Sequence, residues 1–149
     1  DPVERIISHY YYVLQSPKHN LFKEVTKKKL SLVDYASSDL SSELRNNYVT
    51  RFLRISAEEV ERNPEQSIER AYRLIREAYG VTGTLDQLEI SMNKVAKLLN
   101  FSNKFHPSRM NVTINRPGID EIDQSVLDKI EKLNIIDVEL YRMIKNMNR

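Results

Sequence analysis

Helix-start signals recur along this chain and leave almost no room for sheet. Asp1-Pro2-Val3-Glu4 places a capping residue, a proline at the first helical position and a carboxylate three residues after the cap. Asn63-Pro64-Glu65-Gln66 repeats the pattern with glutamine in the reciprocal position, and Thr84-Leu85-Asp86-Gln87 is a third capping box. Behind Asn63, residues Ile68, Ala71, Tyr72, Ile75, Ala78 and Tyr79 recur at helical spacing until Gly80 stops the helix. Behind Thr84 the spacing predicts a helix burying Leu85, Leu88, Met92, Val95, Leu98 and Leu99. The end of the chain is also helical, through Val126, Leu127, Ile130 and Leu133 and then Leu140, Tyr141, Ile144 and Met147. The best strand candidate is Val81-Thr82, held between Gly80 and Gly83.

The first helix should close near Gln15-Ser16-Pro17, because Pro17 cannot continue it. Short helices are expected over 21–29, ending in the solvated run Lys27-Lys28-Lys29, and over 30–36 with Ser31 as cap. A further helix over 46–53 should turn Tyr48 and Phe52 inward beside Leu44, and 56–62 reads as a helical turn. The longest irregular stretch runs from Phe101 to Pro117, and long loops inside compact domains are often functional.

With 149 residues, 40% of them hydrophobic and 30% charged, the chain can build one domain with its own core. No apolar run approaches the length that spans a bilayer. The absence of cysteine removes disulfides and thiolate chemistry, and three histidines without a cysteine form no metal-ligand pattern. It also leans towards a reducing, cytoplasmic compartment over a Golgi lumen. A net charge of +2 is too small to argue nucleic-acid binding.

Asp1, Arg5, Ser8 and Tyr12 fall at i, i+4, i+7 and i+11, so they share one helical face. A helix start that presents Arg and Ser is suited to an anion, since the free N–H groups and the dipole favour negative charge. This stretch resembles the 3′-phosphate-binding segment of the carbohydrate-type sulfotransferases, the group of the heparan sulfate 2-O- and 6-O-sulfotransferases, which read roughly Arg-Asp-Pro-x-x-Arg-x-x-Ser-x-Tyr. Asp1, Pro2, Arg5, Ser8 and Tyr10 match; the arginine expected before Asp1 is not in the sequence. Pro17, His19 and Leu21 match a Pro-x-His-x-Leu loop, and Asn47, Thr50, Arg51 and Leu53 an Asn-x-x-Thr-Arg-x-Leu segment, although Arg54-Ile55 stand where that family has Ser-Gly. Helix, short glycine-bounded strand and helix over 64–99 are similar to an αβα return of the family, with Thr84 where many relatives have Glu. Leu133, Asn134, Asp137, Leu140 and Tyr141 match a closing Leu-Asn-x-x-Asp-x-x-Leu-Tyr helix.

The resemblance implies an α/β, P-loop-kinase-like sulfotransferase fold. Residues 1–149 would be a single partial domain, its truncated C-terminal part, mostly α-helical with one or two short strands packed by the last helix. It implies transfer of a sulfuryl group from PAPS (3′-phosphoadenylyl sulfate) to a hydroxyl of a carbohydrate-type acceptor. Arg5, Ser8, Arg109, Asn111 and Thr113 would bind the cofactor, with no metal. The sulfate-donor loop and the catalytic base would lie upstream, so no catalytic residue is assigned; only 3 glycines are present and none sits in such a loop. His19 then reads as a loop histidine and not the base. Arg51 reads as either a structural or an acceptor-side cation. Asn111-Val112-Thr113 also spells a glycosylation sequon. Helix faces left bare by a missing sheet would favour self-association. The competing expectation is a non-catalytic helical protein-interaction domain; nucleic-acid binding ranks last.

Overall fold

A computed structural model describes residues 1–102, 105, 106 and 113–147, and among them every regular element is helical. The elements are α1 (Pro2–Gln15), α2 (Phe22–Lys27), α3 (Leu32–Ser37), α4 (Ala57–Arg62), α5 (Pro64–Ala78), α6 (Leu88–Leu98), α7 (Gln124–Leu133) and α8 (Ile135–Met147). Short 3₁₀ turns occupy Ser42–Leu44, Leu85–Gln87 and Ile119–Glu121, and Tyr48–Phe52 is a wide π-helical turn. Most caps act as their residues dictate. Asp1 accepts from the N–H groups of Val3 and Glu4, Ser31 and Asp34 close a reciprocal box, and Ser56 and Asp123 cap α4 and α7. Asn63 makes no side-chain cap, and there the proline at the first turn marks the start of α5; the capping box expected at Thr84 also does not form, and α6 begins only at Leu88.

Val81-Thr82 is not a strand, and among the described residues none exists. A strand needs a neighbour to satisfy its N–H and C=O groups, and the chain on either side is helical. The expected α/β character is therefore absent from these residues, while the mostly helical part of the expectation holds.

The core has two halves. Val3, Ile6, Ile7, Tyr10 and Val13 of α1 pack with Val25, Tyr35, Leu44, Ile130 and Val138. Val49, Leu53, Ile55 and Val60 pack with Ala71 and Ile75 of α5 and Ile136 and Leu140 of α8. α8 thus serves both, with Val138 facing one half and Ile136 and Leu140 the other.

Where the halves meet, the chain ties two distant segments together through side chains. Asn134 is fully buried; its Oδ1 accepts from Asn46 N–H at 2.9 Å and its Nδ2 donates to Leu44 and Ile130 carbonyls at 3.2 and 3.1 Å. Asn46 returns the cap, its Oδ1 accepting from the N–H groups of Ile136 and Asp137. Asp137 then accepts from Tyr48 and Val49 N–H at 2.8 and 2.9 Å. The Leu-Asn-x-x-Asp spelling is therefore a cap for the 46–49 segment, and α8 packs on that segment and α5, not on a sheet. Asn46 sits at φ +43°, a conformation asparagine tolerates better than most residues. The wide turn closes with Arg54 at φ +58°, in the left-handed region that glycine enters without a Cβ clash. Val49 and the following Leu53 point inward, Leu44 is buried and Tyr48 half-buried, but Phe52 is exposed, because a π turn advances its side chains differently from an α-helix.

α6 departs furthest from expectation. Leu85, Leu98 and Leu99 are exposed, Leu88, Met92 and Val95 are half-buried, and Ser91 is the helix's buried residue. The segment before it passes so close to α6 that a Cβ on Gly83 would fall onto the Ser91 side chain.

Candidate functional site

The polar stripe of α1 faces a cavity of about 1420 Å³, shared with the wide turn, the 79–89 segment, α8 and the returning residues Thr113 and Arg116. Asp1, Glu4, Arg5, Ser8, His9 and Tyr12 line it from successive turns, while Ile6, Ile7, Tyr10 and Val13 pack the core behind them. The same helix thus seals the core and furnishes one polar wall.

Arg5 is the centre of that wall. Its Nη2 donates to the Glu43 carbonyl at 2.7 Å, and its guanidinium lies 5.6 Å from the centroid of the Tyr48 ring. Its Nε is buried without a hydrogen-bond partner, and among the described residues no carboxylate pairs with it. The nearby Glu43 carboxylate is taken by Arg51 at 2.8 Å, so Arg51 forms an ion pair on the outer surface and does not line the cavity.

Ser8 is half-buried one turn further along, and Thr113 reaches the same cavity from the returning chain. That chain is pinned to α1 at two points: the Gln15 side-chain amide donates to the Ile114 carbonyl, and the Arg116 guanidinium pairs with the Glu4 carboxylate. Arg5, Ser8 and Thr113 are therefore brought together, whereas Arg109 and Asn111 lie outside the described residues. The helix N-terminus itself is occupied, since the Asp1 carboxylate takes the N–H groups of Val3 and Glu4 at 2.8 and 3.1 Å. Free anion donors are on the side face of α1, not at its tip.

Opposite α1, hydrogen bonding from Thr84 and from Lys145, whose Nζ lies 2.9 Å away, holds the Asp86 carboxyl down to about 2. This contact ties the 85–87 turn to α8. A depressed carboxyl stabilises the fold above its unfolded pKa and loses that contribution as pH falls through the folded value. Asp86→Asn is thus expected to lower the melting temperature at pH 7 and to match the parent near pH 2; equal melting at both pH values would show that the latch contributes nothing. Asp137 closes the floor of the cavity, and burial pushes its carboxyl up against the opposing pull of its two N–H donors.

No family model, curated protein or solved structure matches the chain. The site is therefore read from its own chemistry. Among the described residues no cluster of three or more metal-ligating side chains occurs, and no helix is long and apolar enough to cross a membrane.

His19 holds a loop position: its Nδ1 accepts from Leu21 N–H at 3.2 Å, and it does not line the main cavity. Sequence reasoning passed over His9, Tyr48, Arg116 and Asp137, all of which do. For His9 a signal existed. The stripe defined by positions 1, 5, 8 and 12 widens to 4 and 9 once a full helical face is drawn. For Tyr48, Arg116 and Asp137 the signal lay only in how distant segments meet.

Proposed function

We propose that the chain belongs to a PAPS-dependent sulfotransferase acting on a hydroxyl of a carbohydrate-type acceptor, and that the α1 cavity receives the 3′-phosphate of the donor. The observation that carries this reading is the convergence of Arg5, Ser8 and Thr113 on one cavity, where Arg5 keeps an unpartnered buried donor. Buried donors are satisfied in nearly every native structure, and an anion beside Arg5 would satisfy this one. Guanidinium is well suited to phosphate recognition, and the resemblance of the Asp1–Tyr12 segment points to the same ligand.

In the full reaction the acceptor oxygen forms a bond to sulfur while the bond from sulfur to the 5′-phosphate oxygen breaks. The hydroxyl proton passes to a base, and 3′,5′-ADP leaves. The residues of this chain bind and orient the nucleotide; the donor loop and base would be supplied from outside them, and Arg109 and Asn111 would add contacts.

Calorimetry with 3′,5′-ADP tests the reading. Ser8→Ala is expected to weaken binding by about 1–2 kcal/mol and Arg5→Gln by about 2–3 kcal/mol, the range for hydrogen bonds to a charged group. Absence of binding by the parent chain at millimolar nucleotide would overturn it.

A second reading, a helical interaction domain, is favoured by the exposed Leu85, Leu98, Leu99 and Phe101, at 80, 63, 59 and 67%. It predicts concentration-dependent sedimentation and no nucleotide binding.

A further inference from the structure

His9 lies one helical turn beyond Arg5, lines the same cavity, and has its Nδ1 2.8 Å from the Tyr35 hydroxyl. Tyr35 is fully buried on α3, and burial pushes its hydroxyl up to about 12, so it keeps its proton through the neutral range. Among the described residues that proton has His9 Nδ1 as its hydrogen-bond acceptor, which assigns the hydroxyl as donor, and a neutral imidazole that accepts at Nδ1 carries its own proton on Nε2. The ring is a preset donor, held by a rigid buried partner.

The groups around it decide its charge. Arg5 acts from its own helix, His19 from the loop after α1 with its ring 5.5 Å away and edge-on, Tyr35 from α3, and Glu43 from the 42–44 turn. Burial, then His19, hold the imidazole below the usual histidine range; Glu43 opposes this and Arg5 adds to it. His9 is therefore neutral at pH 7 and stands beside the Arg5 cation without repelling it.

We propose that His9 is a further anion-binding residue of this cavity, donating its Nε2–H to the same phosphate that Arg5 and Ser8 engage. The inference rests on the nucleotide reading above. An anion at this position favours the imidazolium, so binding draws a second proton onto the ring, and the Tyr35 hydroxyl turns from donor to acceptor to receive Nδ1–H. Affinity for the anion should consequently rise as pH falls.

The test uses the full chain, with 3′,5′-ADP at pH 7.5 and inorganic sulfate from pH 8 to 5.5. Sulfate has no titrating proton in that range, so its pH dependence reports the protein. His9→Ala is expected to weaken 3′,5′-ADP binding about tenfold, as for a lost hydrogen bond to a charged group. Sulfate affinity of the parent should rise several-fold over the range, His9→Ala and His9→Gln should abolish the rise, and His19→Ala should keep it. Long-range proton–nitrogen correlation on the parent chain supplies a readout independent of variant folding: it should show the Nε2–H form in the free protein and a shift of His9 on adding 3′,5′-ADP. If 3′,5′-ADP binds all chains equally at pH 7.5 or leaves the His9 nitrogens unmoved, or if sulfate binds the parent no more tightly as pH falls, the role of His9 falls while the nucleotide site stands. If neither ligand binds the parent, the nucleotide reading falls and His9 with it.

Discussion

Asn134→Ala is expected to destabilise the protein by about 3 kcal/mol, read as a lower urea midpoint at unchanged slope. The side chain is fully buried and makes three hydrogen bonds, to Asn46 N–H and to the Leu44 and Ile130 carbonyls. Truncation leaves those groups without their partner beside a void that the fully buried Leu44 and Ile130 have little room to close. It also frees Asn46, whose left-handed backbone and cap on α8 depend on being held from both sides. Asn134→Asp keeps the acceptor for Asn46 but turns an oxygen towards two carbonyls, so it should be at least as damaging. A loss below about 1 kcal/mol, the ordinary worth of one hydrogen bond, would mean that this junction does not hold the two halves of the core together.

Asp137→Ala should cost a similar amount, about 3 kcal/mol, because it orphans the N–H groups of Tyr48 and the buried Val49. Asp137→Asn should cost less, since its one side-chain oxygen keeps an acceptor. The two aspartate variants separate contact from charge. Burial raises the Asp137 carboxyl above its unfolded value, so the folded state holds its proton more tightly. Such a group contributes stability that is complete below the unfolded pKa, near 4, and is lost as pH rises through the raised folded value. The penalty of Asp137→Asn, measured against the parent, should therefore grow as pH is lowered from 7 towards 4. A penalty that shrinks on acidification would show that the two N–H donors outweigh burial. Because Asn134 and Asp137 anchor neighbouring residues of one segment, the double variant should lose less than the sum of the singles, with a coupling of about 1 kcal/mol.

Local chemistry was legible where one stretch of chain carries it. The caps at Asp1 and Ser31, the helical turn over 56–62, the stop at Gly80 and the amphipathic split of α1 all follow from side chains acting within a turn or two of their own backbone. The α1 stripe named Arg5 and Ser8 as site residues for the same reason: helical geometry alone decides which positions share a face. The Val81-Thr82 strand was misread because a strand is not a local object and the described residues offer no partner. The burial of α6 was misread because periodicity reports that a helix is amphipathic, not that a neighbour covers its apolar side.

The Leu-Asn-x-x-Asp spelling marks the division most clearly. As sequence it read as a closing helix packed on a sheet; in the fold the spelling straddles the break between α7 and α8. Its purpose is to cap a segment 88 residues earlier in the chain. The cavity is likewise a tertiary product: Tyr48, Asp86, Thr113, Arg116 and Asp137 come to α1 from four other parts of the molecule. The sequence by itself determined that the chain is mostly helical, where α1 starts and which face of α1 is polar, since those depend on contacts within a few residues. Tertiary structure alone decided which polar groups are buried together, and with that the unpartnered Arg5 Nε and the pairing of His9 with Tyr35, because both depend on groups that chain order keeps far apart.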